Sequence, residues 1–312
     1  MAEQLIPTDL SNSDQMFLSE LRDHISKLAS AHIATEKEYF PYDFMDEIDQ
    51  LVADNNIDLE SEEAQIPDAA KDALYVNLLT EEGLPYYTST IQRSIPLDHP
   101  MREWTHYWTA DEGRHAPTIS GFLYKTGQFD MRVLERARMA MMKFPDTPQP
   151  PSFIEGLIYP AIQEPATEIS HRNTMRLLPP AHRVGKRLMG LVVRDEVRHG
   201  KFYGSAAEAA IQVEPSLTII GIAQQVRNFA MPGKSIPGFD EKSKAIEAAD
   251  IFGLKQLRQI YEELIVERLA VYQQENLSPA AEQALASISK RLEIMDRIIK
   301  RRDEQKQVTV SA

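Results

Sequence analysis

The sequence predicts an all-α protein, and three observations carry that prediction. Apolar residues recur at three- and four-residue spacing along most of the chain. Proline- and glycine-rich breaks separate those stretches: "SIPLDHP", "FPDTPQPP", "LLPP" and "MPGKSIPG". Few segments alternate apolar with polar residues as a half-buried strand does. The first helix follows from Leu18, Leu21, Ile25 and Leu28, which share one helical face. Similar periodicity predicts helices over roughly 70–94, 98–126, 129–143, 152–178, 181–212, 214–230, 244–275 and 278–306. No long linker interrupts the series, so residues 1–312 read as one domain with a polar tail from about residue 304.

Composition narrows the class. A chain of 312 residues that is 43% hydrophobic can bury a sizeable core. No apolar run approaches the ~18 residues of a membrane span, and the N-terminus lacks the basic start and apolar stretch of a signal peptide. The expectation is a cytoplasmic protein without membrane insertion. With no cysteine there is no disulfide, zinc-thiolate site or iron–sulfur cluster. The net charge of −13 argues against nucleic-acid binding, which needs a basic footprint. An acidic partner would need a local basic patch. The C-terminal "KRLEIMDRIIKRRDEQK" is the first candidate and Arg132 to Lys143 the second, although such runs are usually solvated helix faces.

One motif stands out. "WTADEGRH" (Trp108 to His115) and "VVRDEVRH" (Val192 to His199) both contain Asp-Glu-x-Arg-His. By composition, Glu-x-x-His alone is expected about 0.7 times, but the five-residue pattern only about 0.003 times. Finding the longer pattern twice is not chance. Residues i and i+3 share a helix face, so Glu112 with His115 and Glu196 with His199 can each grip a metal ion. Glu81 stands 31 residues before Glu112, and Glu164 stands 32 before Glu196. These supply the further carboxylates that two adjacent ions need.

The resulting order, Glu then Glu-x-x-His, twice over, is the ligand pattern of ferritin-like di-iron bundles. It predicts a ferritin-like four-helix di-iron bundle with additional flanking helices. Four carboxylates balance two divalent ions. Buried without a cation, they would repel one another and take up protons. Carboxylate and imidazole together suit iron or manganese better than zinc.

The segments "TEEGLPYY", "WTADEGRH", "EPATEISHRNT" and "RDEVRHGKFY" resemble signatures of the soluble acyl-ACP desaturases, the stearoyl-ACP type, and occur in that family's order. The similarity runs from about "EYFPYDF" through "MPG" to "LSPAAEQALASISKRLEIMDR". It implies that Glu81, Glu112, His115, Glu164, Glu196 and His199 ligate two iron ions. Thr167 would be the hydroxyl beside the oxygen-binding face; a helical Thr bonding back to its own backbone is the plain alternative. Asp195 would link the surface to a ligand histidine. Ligand histidines need a partner for their second nitrogen, which pairs Asp195 with His115 and Asp111 with His199. Trp108 matches a family tryptophan, though core packing suffices to explain it.

The implied activity is O₂-dependent removal of two hydrogens from adjacent carbons of a fatty acyl chain, leaving a cis double bond. Acyl carrier protein would bring the chain, a ferredoxin-like donor would bring two electrons, and the enzyme would be a homodimer. Several residues depart from the family pattern. Pro165 follows Glu164, where Arg is usual, and predicts a break, kink or π-type turn between about Tyr159 and Thr167. Glu168 replaces an aromatic residue, Arg93 falls where the acyl channel is small or apolar, and Tyr39 stands where an electron path begins with Trp. These changes keep two alternatives open. One is a related di-iron hydroxylase or N-oxygenase acting on a carrier-bound substrate. The other is a ferritin-like iron-binding protein that is not an oxygenase, which chain length and Thr167 disfavour. The small subunit of ribonucleotide reductase is a weaker rival, because it usually has Asp at the position of Glu81.

Overall fold

The computed structural model describes residues 11–93, 95–143 and 147–310. Among the described residues there are helices and no strands. The first helix, α1 (Asn12–Ile33), begins at a capping box in which Ser11 and Asp14 satisfy each other's backbone N–H groups. Its stripe of Phe17, Leu18, Leu21 and Ile25 is buried. Pro41 opens α2 (Pro41–Ala53), which buries Met45 and Ile48. Periodicity does not predict α2, although Phe44, Met45, Ile48 and Leu51 form its apolar face.

The central bundle consists of α3 (Asp68–Glu81), the consecutive α5 (Pro100–Glu112) and α6 (His115–Thr126), α8 (Phe153–Leu177) and α9 (Arg183–Val213). Of these, α8 and α9 pair most extensively, α3 lies against α6 and α8, and α1 lies against α5 and α9. Leu157, Ile158, Ala161 and Ile162 of α8 meet Phe202, Ala206 and Ala210 of α9 in one buried cluster. At Gly185, α9 passes so close to α6 that an added Cβ would lie 2.1 Å from the Phe122 ring. Outside the bundle, α4 (Leu84–Arg93), α7 (Met131–Lys143), α10 (Pro215–Asn228), α11 (Phe239–Ala248), α12 (Leu254–Ile260) and α13 (Pro279–Val310) complete the fold.

Four expectations need correction. The stretches 70–94 and 98–126 are each two helices, parted at Glu82–Gly83 and at Gly113–Arg114. At both breaks the bonds tighten from i→i−4 to i→i−3, as Gly83 N–H to Thr80 O and Arg114 N–H to Asp111 O. The stretch 244–275 is interrupted after α11, where Asp250 takes a φ of 54°. Beyond α12, residues Tyr261–Arg268 widen into a π-type helix. The polar tail is helical to Val310, anchored by Arg302 on Glu247 and by Lys306 on Asp250 at 3.5 Å.

The fourth correction concerns Pro165. Helix α8 runs unbroken through Pro160 and Pro165, with no π-type turn between Tyr159 and Thr167. The proline still lacks the bond to the Ala161 carbonyl, but packing against α9 keeps the helix. Gly200 of α9 lies opposite, where an added Cβ would stand 3.6 Å from both Glu164 Cβ and the Pro165 ring.

Candidate metal centre

All six side chains expected to bind metal converge in the bundle, and all are buried. Glu81 ends α3, Glu112 ends α5, His115 begins α6, Glu164 lies within α8, and Glu196 and His199 lie within α9. Glu112 and His115 therefore straddle a tightened turn, whereas Glu196 and His199 sit in continuous helix. The tightened turn still serves, because i and i+3 eclipse at three residues per turn. His115 Nδ1 lies 3.0 Å from Glu112 Oε2.

Ligand atoms fall into two overlapping groups, each within 4.8 Å. One comprises Glu81, Glu112, His115 and Glu196; the other comprises Glu112, Glu164, Glu196 and His199. Glu112 and Glu196 belong to both groups and could serve two ions, while Glu81 and Glu164 would each serve one. The sequence left open which carboxylates bridge. Both histidines turn Nδ1 inward. His115 Nδ1 is 3.4 Å from Glu81 Oε2 and from Glu196 Oε1, and His199 Nδ1 is 2.8 Å from Glu112 Oε1 and 3.6 Å from Glu164 Oε2.

The electrostatics of this cluster fit a cation. Burial alone would suppress an imidazolium, yet Glu112 and its fellow carboxylates raise the pKa values of His115 and His199 well above the ordinary value. Burial pushes Glu164 up, and Glu112 and Glu196 push it further, despite the opposing pull of the nearby His199 imidazole. Against burial, the two imidazoles hold Glu112 well below the carboxylate range. Protons thus supply the positive charge that four packed carboxylates demand. Among the described residues, Nδ1 of His115, Nδ1 of His199 and Oε1 of Glu196 are buried without a hydrogen-bond partner. Orphaned inward-facing donor atoms of this kind are what metal ligands offer, and the residues fit a pair of metal ions.

A third group, His32, Asp111 and His199, also lies within ligand distance. It is a poor cation site, because Arg198 Nη1 already lies 3.2 Å from Asp111 Oδ2. Asp111 instead faces the outer nitrogen of His199, with Oδ2 3.6 Å from Nε2, and Asp195 Oδ2 faces His115 Nε2 at 3.8 Å. The pairing is the one expected, but the hydrogen bonds expected of it are not formed. The separations are those of ion pairs, longer than a hydrogen bond. Arg114 and Arg194 flank Asp195 and also sit over the Tyr39 ring, at 5.0 and 5.7 Å.

Thr167 lies beside the cluster, and its Oγ1 is 2.8 Å from Glu196 Oε2. The backbone carbonyls of Gln163 and Glu164 compete for the same hydroxyl proton, at 3.2 and 2.9 Å. Trp108 does more than pack: its Nε1–H donates to Glu164 Oε1 at 3.2 Å. Sequence reasoning missed His171, whose Nε2 is 2.9 Å from Glu81 Oε1. The available signal was its place two turns after Glu164, on the same helix face.

Two cavities meet the cluster from one side. A small one is lined by Thr80, Glu112, Thr167 and Met231. A longer one leads from Glu164 and Trp108 past Tyr87 and Ile91 to Ile95, Met101 and Phe153. The residues that departed from the family pattern do not line either cavity. Arg93 is exposed and bonds Gln149 at 3.3 Å, and Glu168 pairs with Arg172 at 3.0 Å.

The sequence matches the family model described as fatty acid desaturase over residues 13–312. It is 29% identical over 250 residues to DesA1 of Mycobacterium tuberculosis, named as an acyl-[acyl-carrier-protein] desaturase, spanning 77% of this chain and 73% of that one. It is 30% identical over 269 residues to the chloroplastic stearoyl-[acyl-carrier-protein] 9-desaturase 1 of Arabidopsis thaliana, spanning 80% and 67%. In fold it is similar to the X-ray structure of acyl-ACP desaturase DesA2 from M. tuberculosis H37Rv, with a TM-score of 0.63 at 20% identity over 86% of this chain and 99% of that one. The helical bundle, its buried carboxylates and the match across almost the whole sequence agree: the chain belongs to the fatty acid desaturase family, of the acyl-ACP desaturase type.

Proposed function

We infer that this protein is an acyl-ACP desaturase that uses two iron ions and O₂ to place a cis double bond in a carrier-bound fatty acyl chain. The observation that carries the reading is the convergence of four glutamates and two inward-facing Nδ1 atoms at the end of an apolar cavity. Glu81, Glu112, His115, Glu164, Glu196 and His199 would hold the irons, four negative charges against four positive. Bound there, reduced iron supplies with O₂ the oxidising power that no side chain has for an unactivated C–H bond.

The chain's own residues do the rest. Tyr87, Ile91, Ile95, Met101 and Phe153 give an alkyl chain a largely apolar path ending beside Glu164. Thr167 holds a proton at Oγ1 within reach of Glu196. Asp195 and Asp111 place a negative charge 3.8 and 3.6 Å from the outer nitrogens of His115 and His199, which favours a proton there and leaves Nδ1 for a metal ion. The two electrons that accompany O₂ need an outside source, here a ferredoxin-like donor, since the chain has no cysteine for a redox centre. Acyl carrier protein would deliver the substrate to a homodimer working as a single-domain cytoplasmic enzyme. Among the described residues no helix is long and apolar enough to cross a membrane.

Desaturation is favoured over hydroxylation because Arg93, Pro165 and Glu168, the residues that suggested a changed outcome, stand outside the cavity walls. The test is aerobic incubation of the iron-loaded protein with a reductant, a ferredoxin and a panel of acyl-ACPs, with products read by mass spectrometry. The expected product lacks two hydrogens. A product carrying an added oxygen would establish the hydroxylase, and O₂ uptake indifferent to every acyl-ACP would favour an iron-binding protein.

A further inference from the structure

His171 lies outside the six ligands yet is buried, with 2% of its surface exposed. Its bonding partners fix its proton. Glu81 Oε1, 2.9 Å from Nε2, is a carboxylate oxygen and accepts, while Asn77, with its Oδ1 taking the Ser170 hydroxyl at 3.0 Å, turns its amide nitrogen to the other side of the ring. That nitrogen lies 3.2 Å from His171 Nδ1. An amide nitrogen can only donate, so Nδ1 must accept and the ring proton must sit on Nε2. Nε2–H then points at Glu81 Oε1, 2.9 Å away.

We propose that His171 is a positioning residue for the metal centre, holding Oε1 of Glu81 and so setting the orientation in which that carboxylate would meet a metal ion. Oε2 is the oxygen that faces His115 Nδ1 at 3.4 Å. The opposite end of the site is built the same way from different residues. Trp108 Nε1–H holds Oε1 of Glu164, and Oε2 faces His199 Nδ1 at 3.6 Å. An indole nitrogen is always a donor, whereas a neutral imidazole carries its one proton on either nitrogen. The Asn77–Ser170 pair keeps it on Nε2, so the capping of Glu81 depends on three residues and that of Glu164 on one. The repeated motif makes the two halves of the site alike in ligands, and this chain makes them unlike in the groups that orient them.

The proposal rests on the metal-centre reading, and the test separates the two. Full-length wild type, His171→Leu and His171→Gln are titrated anaerobically with ferrous iron, and Mössbauer spectra are recorded at two equivalents. Wild type should bind two ions; a wild type that binds none removes the metal reading and this proposal with it. His171→Leu should weaken one of the two equivalents by about 10- to 100-fold and alter one of two iron signals. His171→Gln, whose amide can still donate to Oε1, should recover most of the affinity. Two equivalents bound by His171→Leu as in wild type, with unchanged spectra, would overturn the proposal while leaving the metal centre standing. Equal weakening of both sites, unrelieved in His171→Gln, would reduce His171 to a packing role and overturn it too. Should the leucine variant not fold, the ring ¹⁵N shifts of His171 in zinc-loaded wild type decide independently. The proposal requires the proton on Nε2, and a proton on Nδ1 contradicts it.

Discussion

The indole Nε1–H of Trp108 donates to Oε1 of Glu164 across the bundle, at 3.2 Å. Trp108 lies one turn before Glu112 on α5, and Glu164 lies on α8, so a residue of one repeat orients the capping carboxylate of the other. Trp108→Phe keeps most of the buried ring and deletes only the donor. The expected result is a folded protein whose affinity for one of two ferrous ions falls by about 10- to 100-fold, read by anaerobic titration. Unchanged affinity would return Trp108 to a packing role.

His99 couples pH to stability away from the metal centre. Its Nδ1 accepts the Met101 N–H at the start of α5, at 3.2 Å, and its Nε2–H donates to Leu18 O of α1, at 3.0 Å. Burial lowers its pKa, against the Leu18 carbonyl, with Arg22 and Asp98 as minor neighbours. Between the lowered folded value and the unfolded value near 6.5 the unfolded chain binds more protons. Stability from this group is therefore fully present above that unfolded value and is lost as pH falls toward the folded one. In urea unfolding of the metal-free protein, wild type should lose more stability than His99→Asn between about pH 7.5 and pH 5. Parallel curves would exclude the coupling. His182, whose Nε2 bonds Ala64 O at 2.7 Å and whose pKa burial also lowers, should act in the same direction.

At Gly185, α9 passes close against Phe122 of α6. A Cβ there would lie 2.1 Å from Phe122 Cε2, and Phe122 is itself buried with its edge against the His182 ring. Gly185→Ala should cost about 1–3 kcal/mol of stability through overpacking, despite the better helix propensity of alanine. Chemical denaturation checks the cost. Iron stoichiometry should stay at the wild-type value, because residue 185 lies three turns from Glu196.

Much of this was legible in the sequence, for reasons that individual residues show. The doubled Asp-Glu-x-Arg-His placed Glu112, His115, Glu196 and His199 together because ligand spacing and helical period coincide. Glu81 and Glu164 followed from their matching offsets. The breaks at Gly83 and Gly113 were not legible: Glu82 and Gly113 keep right-handed helical dihedrals, and only the hydrogen-bond register tightens. Pro165 misled in the opposite sense. Local propensity called for a distortion, but the helix is held by its contacts with α9, a tertiary effect that no window around residue 165 contains. His171 escaped notice because its role depends on Asn77, 94 positions earlier in the chain.

The central claim is that four glutamates and two histidines hold two iron ions inside the bundle, and diffraction at the iron edge tests it most directly. Crystals of the protein loaded with ferrous iron under anaerobic conditions should show two anomalous peaks. One should lie among Glu81, Glu112, His115 and Glu196, the other among Glu112, Glu164, Glu196 and His199. A single peak, or iron bound instead by His32, Asp111 and the outer nitrogen of His199, would contradict the account.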